Sequence, residues 1–223
     1  VTGKQRVTAS MADRKVLIIY YSCSGQTRKL VNAFAAGLEE CGVEVGWQPL
    51  RPIPKIPFPA GSMGAALLMM VHTFCRRRNP IGRLDGKTGE QWQAIVLAGP
   101  TWSYNPSGPV LSLLDDHGEI FLHRPVLPLI SCRSYWRLHY WQLRALLRAR
   151  GARVLSPLVF KHPGKEPWRT IGVFLKMAGR NPENDGSWIG KFYKGYGHSG
   201  EQVDCARNKG RSLAAELLEY ELV

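Results

Sequence analysis

A run of small hydroxyl residues around a glycine, Ser22-Cys23-Ser24-Gly25-Gln26-Thr27, is the segment best suited to chemistry. Ser22, Ser24 and Thr27 can donate to phosphate oxygens, and Gly25 lets the backbone approach closely. Between a strand and a helix, such a turn also aims free N–H groups and the positive helix end at an anion. It is neither a Gly-Lys-Ser/Thr loop nor a G-x-G-x-x-G, and an N-capped helix start uses the same residue types. Cys132 stands beside Arg133, a neighbour able to lower a thiol pKa and make a nucleophile, with His139 or His162 as base. A small buried loop residue is the plainer and preferred reading of Cys132, because spacing alone gives no Cys–His geometry. Cys23 reads as a spacer. The six histidines form no H-x-x-H or H-E-x-x-H spacing, so no metal site is expected. Asp115-Asp116 reads as a solvated helix end.

Alternating strands and helices must position these residues. Lys15–Tyr21 is a continuous β-branched and aromatic run that suits a strand buried on both faces. The spacing of Leu30, Val31, Phe34 and Leu38 predicts a helix over about 27–40, stopped by Gly42. Further strands are expected at 43–50, 94–98, 126–131 and 152–160, and helices at 109–116, 135–150 and 201–221. That alternation argues for α/β architecture with a parallel sheet covered on both faces. Two long segments, 51–89 and 161–199, exceed the loops such a sheet needs and read as insertions that could cover a ligand.

The chain has 223 residues with Lys+Arg 30 against Asp+Glu 17, a formal net charge of +13. Its ordinary globular mixture excludes collagen-like, low-complexity and disulfide-scaffold classes, while the basic excess favours anionic partners. Five cysteines without a C-x-x-C pair read as reduced thiols of a cytoplasmic protein. Residues 1–14 read as a disordered basic arm or an added extension, with Met11 a natural start and no secretory signal. The apolar stretch 61–74 is shorter than the roughly 20 residues of a spanning helix. With Arg76-Arg77-Arg78 it suits docking to an anionic membrane surface or an acidic protein, and its apolar character makes a homodimer reasonable. The helix near 135–150 interleaves arginines with Tyr135, Trp136, Tyr140 and Trp141. A solvated basic face whose aromatics pack on the sheet is preferred there over nucleic-acid binding.

The S-x-S-G-x-T turn after a strand ending Tyr20-Tyr21 resembles the phosphate loop of flavodoxin-like proteins. The segment from Ile95 through Gly99-Pro100-Thr101-Trp102-Ser103-Tyr104 to Ser107-Gly108-Pro109 resembles that family's first flavin loop and the helix after it. Ser131-Cys132-Arg133-Ser134-Tyr135-Trp136 takes the place of the second. The resemblance implies a doubly wound five-stranded sheet in the order 2-1-3-4-5 over residues 15–223, and flavin mononucleotide (FMN) as cofactor. By position, Ser22, Ser24, Gly25, Gln26 and Thr27 would hold the phosphate. Pro100, Thr101, Trp102, Ser103 and Tyr104 would flank the ring on one side, and Cys132, Arg133, Ser134 and Tyr135 on the other. Trp102, Tyr104, Tyr135 and Trp136 offer stacking surface. The chain departs from the family's small acidic electron carriers by its basic charge and its insertions, so an oxidoreductase is expected, passing electrons from a reduced nicotinamide or protein donor to a small acceptor such as a quinone. Arg51–Pro59 with the Ser131–Trp136 segment is also similar to flavodoxin-like proteins described as dialkylresorcinol-condensing enzymes. Two alternatives therefore stand: a flavin-free transferase or condensing enzyme using the Cys132 region or a histidine, and a non-catalytic binding module.

Overall fold

The computed structural model describes residues 14–182, 193 and 195–220. The arm expected over 1–14 lies outside them except for Arg14, as do 183–192 and 194 of the second insertion and the last expected helical residue, Glu221. In chain order the elements are β1 (Lys15–Tyr20), α1 (Gln26–Glu39), β2 (Glu44–Pro49), α2 (Met63–Phe74), β3 (Ala94–Trp102), β4 (Asn105–Pro106), α3 (Gly108–Asp116), β5 (Pro125–Cys132), α4 (Trp136–Ala149), β6 (Arg153–Val154), β7 (Leu158–Lys161), α5 (Trp168–Met177) and α6 (Gly200–Tyr220). The sheet runs β2-β1-β3-β5-β6, with β7 continuing alongside β5. Every pairing is parallel except the short β3–β4 hairpin.

Counting β6 and β7 as one interrupted edge strand gives the expected order. The interruption has a local cause. Val126 pairs with Val154 and Leu129 with Leu158, so the edge carries one more residue than its partner, next to Pro157, which has no N–H to donate.

Strand side chains alternate between two cores. Val16, Ile18, Val96 and Leu129 face Phe34 and Leu38 of α1 and Ala206 and Leu213 of α6. Leu17, Ile19, Ile95 and Leu97 face Val110 and Leu114 of α3 and Leu143 and Leu147 of α4. Helices α1 and α6 cross closely through glycines: a Cβ on Gly37 would strike the Arg207 carbonyl, and one on Gly210 the Phe34 carbonyl. Outside that crossing, Glu40 bonds both Arg207 and Arg211.

The aromatics at α4 divide: Trp136 and Tyr140 are half-buried, the Tyr140 hydroxyl reaching the Leu155 carbonyl at the sheet edge, whereas Tyr135 and Trp141 do not pack the helix on the sheet as expected. His139, Leu143 and Leu147, one turn apart, form the buried row. Trp141 projects from the far side of that row and, with Tyr135, is exposed. Asp115 pairs with Arg78 and Arg150 rather than standing free.

Candidate functional site

The carboxyl ends of β1, β3, β5 and β7 form one edge, where open α/β sheets bind ligands. The β1–α1 turn arrives there first. Gly25, at φ 81, takes the left-handed conformation that turns the chain into α1, and a Cβ there would meet nothing within 4 Å. The first N–H groups of α1 have no partner inside the helix. Ser22 Oγ accepts the Arg28 N–H at 3.1 Å, and Thr27 is buried in the first turn.

The strand β3 ends in a tight turn whose central residues, Ser103 (φ 43) and Tyr104 (φ 71), are both in the left-handed region. Such a turn ordinarily takes Asn-Gly, so side chains here carry strain. Its anchor is α2. Asn105 Nδ2 donates to the carbonyls of Thr73, Phe74 and Ser103, satisfying helix-end carbonyls. Ser103 Oγ lies 2.6 Å from Thr73 Oγ1. The strained turn thereby holds the Tyr104 ring against Tyr135, centroids 5.0 Å apart.

Behind these loops lies a cavity of about 100 Å³. Its polar side is Ser24, Thr101, Ser131, Arg133 and His162, and its apolar side is Phe58, Met69 and Met70 from one long connection and Val173, Phe174 and Met177 from the other. An outer groove of about 430 Å³ adjoins it, sharing Met70, Thr101, Ser103 and Arg133 and walled by Leu67, Phe74, Tyr104 and Tyr135.

Across the sheet edge runs Tyr196-Gly197-His198. The Tyr196 hydroxyl donates to Ser24 Oγ at 2.8 Å, and its ring stacks on Phe58. The His198 N–H donates to Gln26 Oε1, and the Lys29 ammonium reaches the His198 carbonyl. The histidine tautomer follows from its surroundings. Gln202 Nε2 donates to the Lys161 carbonyl and its Oε1 accepts the Ser199 N–H, so His198 Nδ1, 3.1 Å from Oε1, must carry hydrogen. Its Nε2 is then bare and accepts the Ser131 hydroxyl at 2.8 Å. Burial depresses the pKa of His198 and keeps it neutral. His162, its ring tilted against His198 with centroids 4.7 Å apart, is pushed down to about 3, chiefly by burial and further by the positive charges of Arg169 and Arg133.

The sequence-derived residues thus reach the same edge with different surroundings. Ser24, Pro100, Thr101, Trp102, Ser103, Cys132 and Arg133 line the inner cavity. Tyr104, Ser134 and Tyr135 line the outer groove and not the inner cavity. Ser22, Gly25, Gln26 and Thr27 sit in the turn, off the cavity wall. Trp102 packs edge-on against Tyr21 at 5.4 Å. Cys132 is buried, the reading preferred from the sequence, and not activated: burial pushes its thiol up to about 11, outweighing the lowering charges of Lys161 and Arg169. Its Sγ reaches only the Ser134 carbonyl, at 4.0 Å, while His139 bonds Thr101 Oγ1 at 2.7 Å. Tyr196, His198 and Gln202 escaped sequence reasoning, and Ser131 was named only as the first residue of the loop after β5. The long connection carrying Tyr196 and His198 was a signal, but no spacing links positions 172 residues apart, the separation of Ser24 and Tyr196.

The architecture is flavodoxin-like. Three solved structures share it: an FMN-complexed flavoprotein from Lactobacillus acidophilus (16% identity, TM-score 0.51, covering 66% of this chain and 93% of that one); a candidate flavoprotein from Bacteroides eggerthii (12%, 0.54, 76% and 100%); and the rubredoxin oxygen:oxidoreductase of Desulfovibrio gigas (12%, 0.51, 92% and 36%). At these identities the likeness establishes the fold. No protein-family model matches the chain.

The residues can be tested against FMN. At the phosphate end, hydroxyls, a helix N-terminus and the open space above Gly25 match an anion, with the Tyr196 hydroxyl now on Ser24. At the ring end, Tyr104 and Tyr135 touch, so no ring fits between them; the groove beside both offers the space, with aromatic and Met walls. The donor set fits the cofactor, since Ser24 accepts from Tyr196 and keeps its own hydrogen to donate.

Proposed function

We propose that the protein binds FMN, its phosphate on the Ser22–Thr27 turn and its ring in the groove beside Tyr104, Tyr135 and Arg133. On this reading it passes electrons from a reduced nicotinamide or protein donor to a small acceptor such as a quinone. The observation that carries the reading is the β1–α1 turn: hydroxyls, a left-handed glycine and a helix N-terminus converge opposite the ends of β3 and β5. The bound flavin supplies the electron transfer. The chain's own residues do the rest. Ser22, Ser24 and Thr27 hold the phosphate, Met70 and Phe174 exclude water, and Arg133 places positive charge beside the ring. The test is an absorption spectrum of the purified protein before and after FMN is added and excess removed. A retained flavin band supports the reading, and Ser24→Ala with Thr27→Ala should weaken retention about tenfold or more, since hydrogen bonds to a charged group are worth roughly 1.5–3 kcal/mol.

The Ser131–His198–Gln202 arrangement favours a second reading, a flavin-free acyl transferase. Ser131 Oγ would attack an acyl carbonyl while His198 Nε2 takes its proton, and the protonated His198 would return it to the leaving group. The acyl group then passes from Ser131 to the acceptor. A protein that takes up no flavin and is labelled at Ser131 by a fluorophosphonate supports this reading against the first.

A further inference from the structure

The outer surface of α2 is unlike that of a helix packed in a globular protein. Of its twelve residues, MGAALLMMVHTF, only Ala66 is buried, and none is a carboxylate, lysine or arginine. Met63, Leu67, Leu68, Val71 and Phe74 stand exposed, Phe74 at 66%. An element apolar nearly all round belongs in a core or in lipid. The patch does not stop at the helix. The groove walled by Leu67, Val71 and Phe74 has Tyr104 and Tyr135 as its other bank, and beyond them Leu138 and Arg137 share the next depression with those tyrosines. Trp141, 68% exposed, lies one turn further along α4. Nine of the twelve exposed large apolar side chains among the described residues belong to α2, to the groove's other bank or to α4 beside it.

Cations edge it. Arg133, Arg137 and Lys161 line the groove and its neighbour, and Arg144 follows Trp141 on the exposed side of α4. None of these four pairs with a carboxylate among the described residues, and neither α2 nor α4 contains an acidic residue. Arg76-Arg77-Arg78, the docking cluster expected from the sequence, contributes less: Arg78 is held by Asp115 and Arg77 lies against His72.

We infer that this face docks on an anionic lipid bilayer, with α2 lying at the interface and the cations meeting headgroups. At roughly 1.5 Å per residue, α2 is about 18 Å long, too short to span and long enough to lie flat. A bilayer is favoured over an acidic protein because the groove opens within the apolar patch and leads through Met70 to an apolar cavity, a route for a lipid-soluble molecule. The inference rests on the exposed apolar side chains of α2 and on Arg137, Lys161 and Arg144, none of which the proposed function uses.

Co-sedimentation of the whole protein with vesicles tests it. Vesicles of phosphatidylcholine with phosphatidylglycerol should retain the protein, pure phosphatidylcholine vesicles should retain far less, and salt should release it. Arg137→Glu should weaken binding at least fivefold, the factor equivalent to about 1 kcal/mol per surface cation. Leu67→Gln with Val71→Gln should weaken it at least tenfold while leaving the far-UV circular dichroism and melting temperature unchanged, since both side chains are exposed. Equal retention of wild type and the Leu67/Val71 variant, or no retention on anionic vesicles, overturns the inference. A wild-type dimer in sedimentation that becomes monomeric in the Leu67/Val71 variant also overturns it, assigning the face to a second copy of the chain.

Discussion

Ser131 and Cys132 follow one another at the end of β5, and their environments give them opposite chemistry. Ser131 is oriented by a neutral His198, while the Cys132 thiol has no such partner and needs about pH 11 to ionise. In sequence, Arg133 beside Cys132 suggested an activated thiolate; burial dominates instead. At pH 8 a thiol of pKa 11 is about one part in a thousand thiolate. Iodoacetamide should therefore modify exposed Cys75 and Cys205 first and leave Cys132 intact in the folded protein, as peptide mapping would show. Fast labelling of Cys132 would restore it as a nucleophile. Tyr196 carries a second prediction at this scale. Its hydroxyl donates to Ser24 Oγ, which leaves the Ser24 hydrogen free for a phosphate oxygen and holds that side chain in place. Tyr196→Phe should lower FMN affinity about fivefold, the equivalent of one net hydrogen bond of about 1 kcal/mol, and a fluorescence titration reads the change. Tighter binding would mean that the Tyr196 hydroxyl stands in the phosphate's place.

Among the elements, periodicity revealed what depends on neighbours in sequence and missed what depends on distant ones. The continuous apolar run of Lys15–Tyr21 identified a strand buried on both faces, and the four-residue rows of α1 identified its buried face, because that side repeats at the helix's own period. The edge strand's break at Leu155–Pro157 is a matter of register against β5, and Trp141 on α4 was misplaced because an aromatic in a helix looks like core until the buried row is known. The turn between β1 and α1 was legible by residue type and position. Its contact with Tyr196 was not, since that comes from a connection with no periodic pattern. The α1–α6 crossing was equally hidden: no local pattern marks Gly37 and Gly210 as the contact, since each meets a backbone far away in sequence. Gly37→Ala and Gly210→Ala should each destabilise the fold by about 1–3 kcal/mol, the usual cost of overpacking, despite the better helix propensity of alanine. Urea midpoints measure this. A stabilising Gly210→Ala would mean that α6 can shift away from α1 without loss.

For the molecule as a whole, the sheet edge concentrates buried histidines in a chain that is already strongly basic. His139 is held down to about 3 by burial alone, His162 to about 3, and His198 is depressed as well. An unfolded chain protonates such residues near 6.5, whereas the folded one refuses the proton. The unfolded state thus binds more protons throughout that window, so stability is full above about pH 6.5 and falls as the pH drops towards 3. Each histidine contributes at most about 1.4 kcal/mol per pH unit. The carboxylates with lowered pKa, Glu40 and Glu166, act further down, below their ordinary 4.5, and leave the interval from 6.5 to 5 to the histidines. Added positive charge on a chain of +13 pushes the same way. The urea midpoint should accordingly fall between pH 7 and pH 5. His139→Gln, which keeps a hydrogen-bonding side chain beside Thr101 and removes the titration, should lose less over that interval than wild type. A midpoint independent of pH from 7 to 5 would mean that these histidines meet protons in the folded state, and that the sheet edge is open to water rather than closed over its cavity.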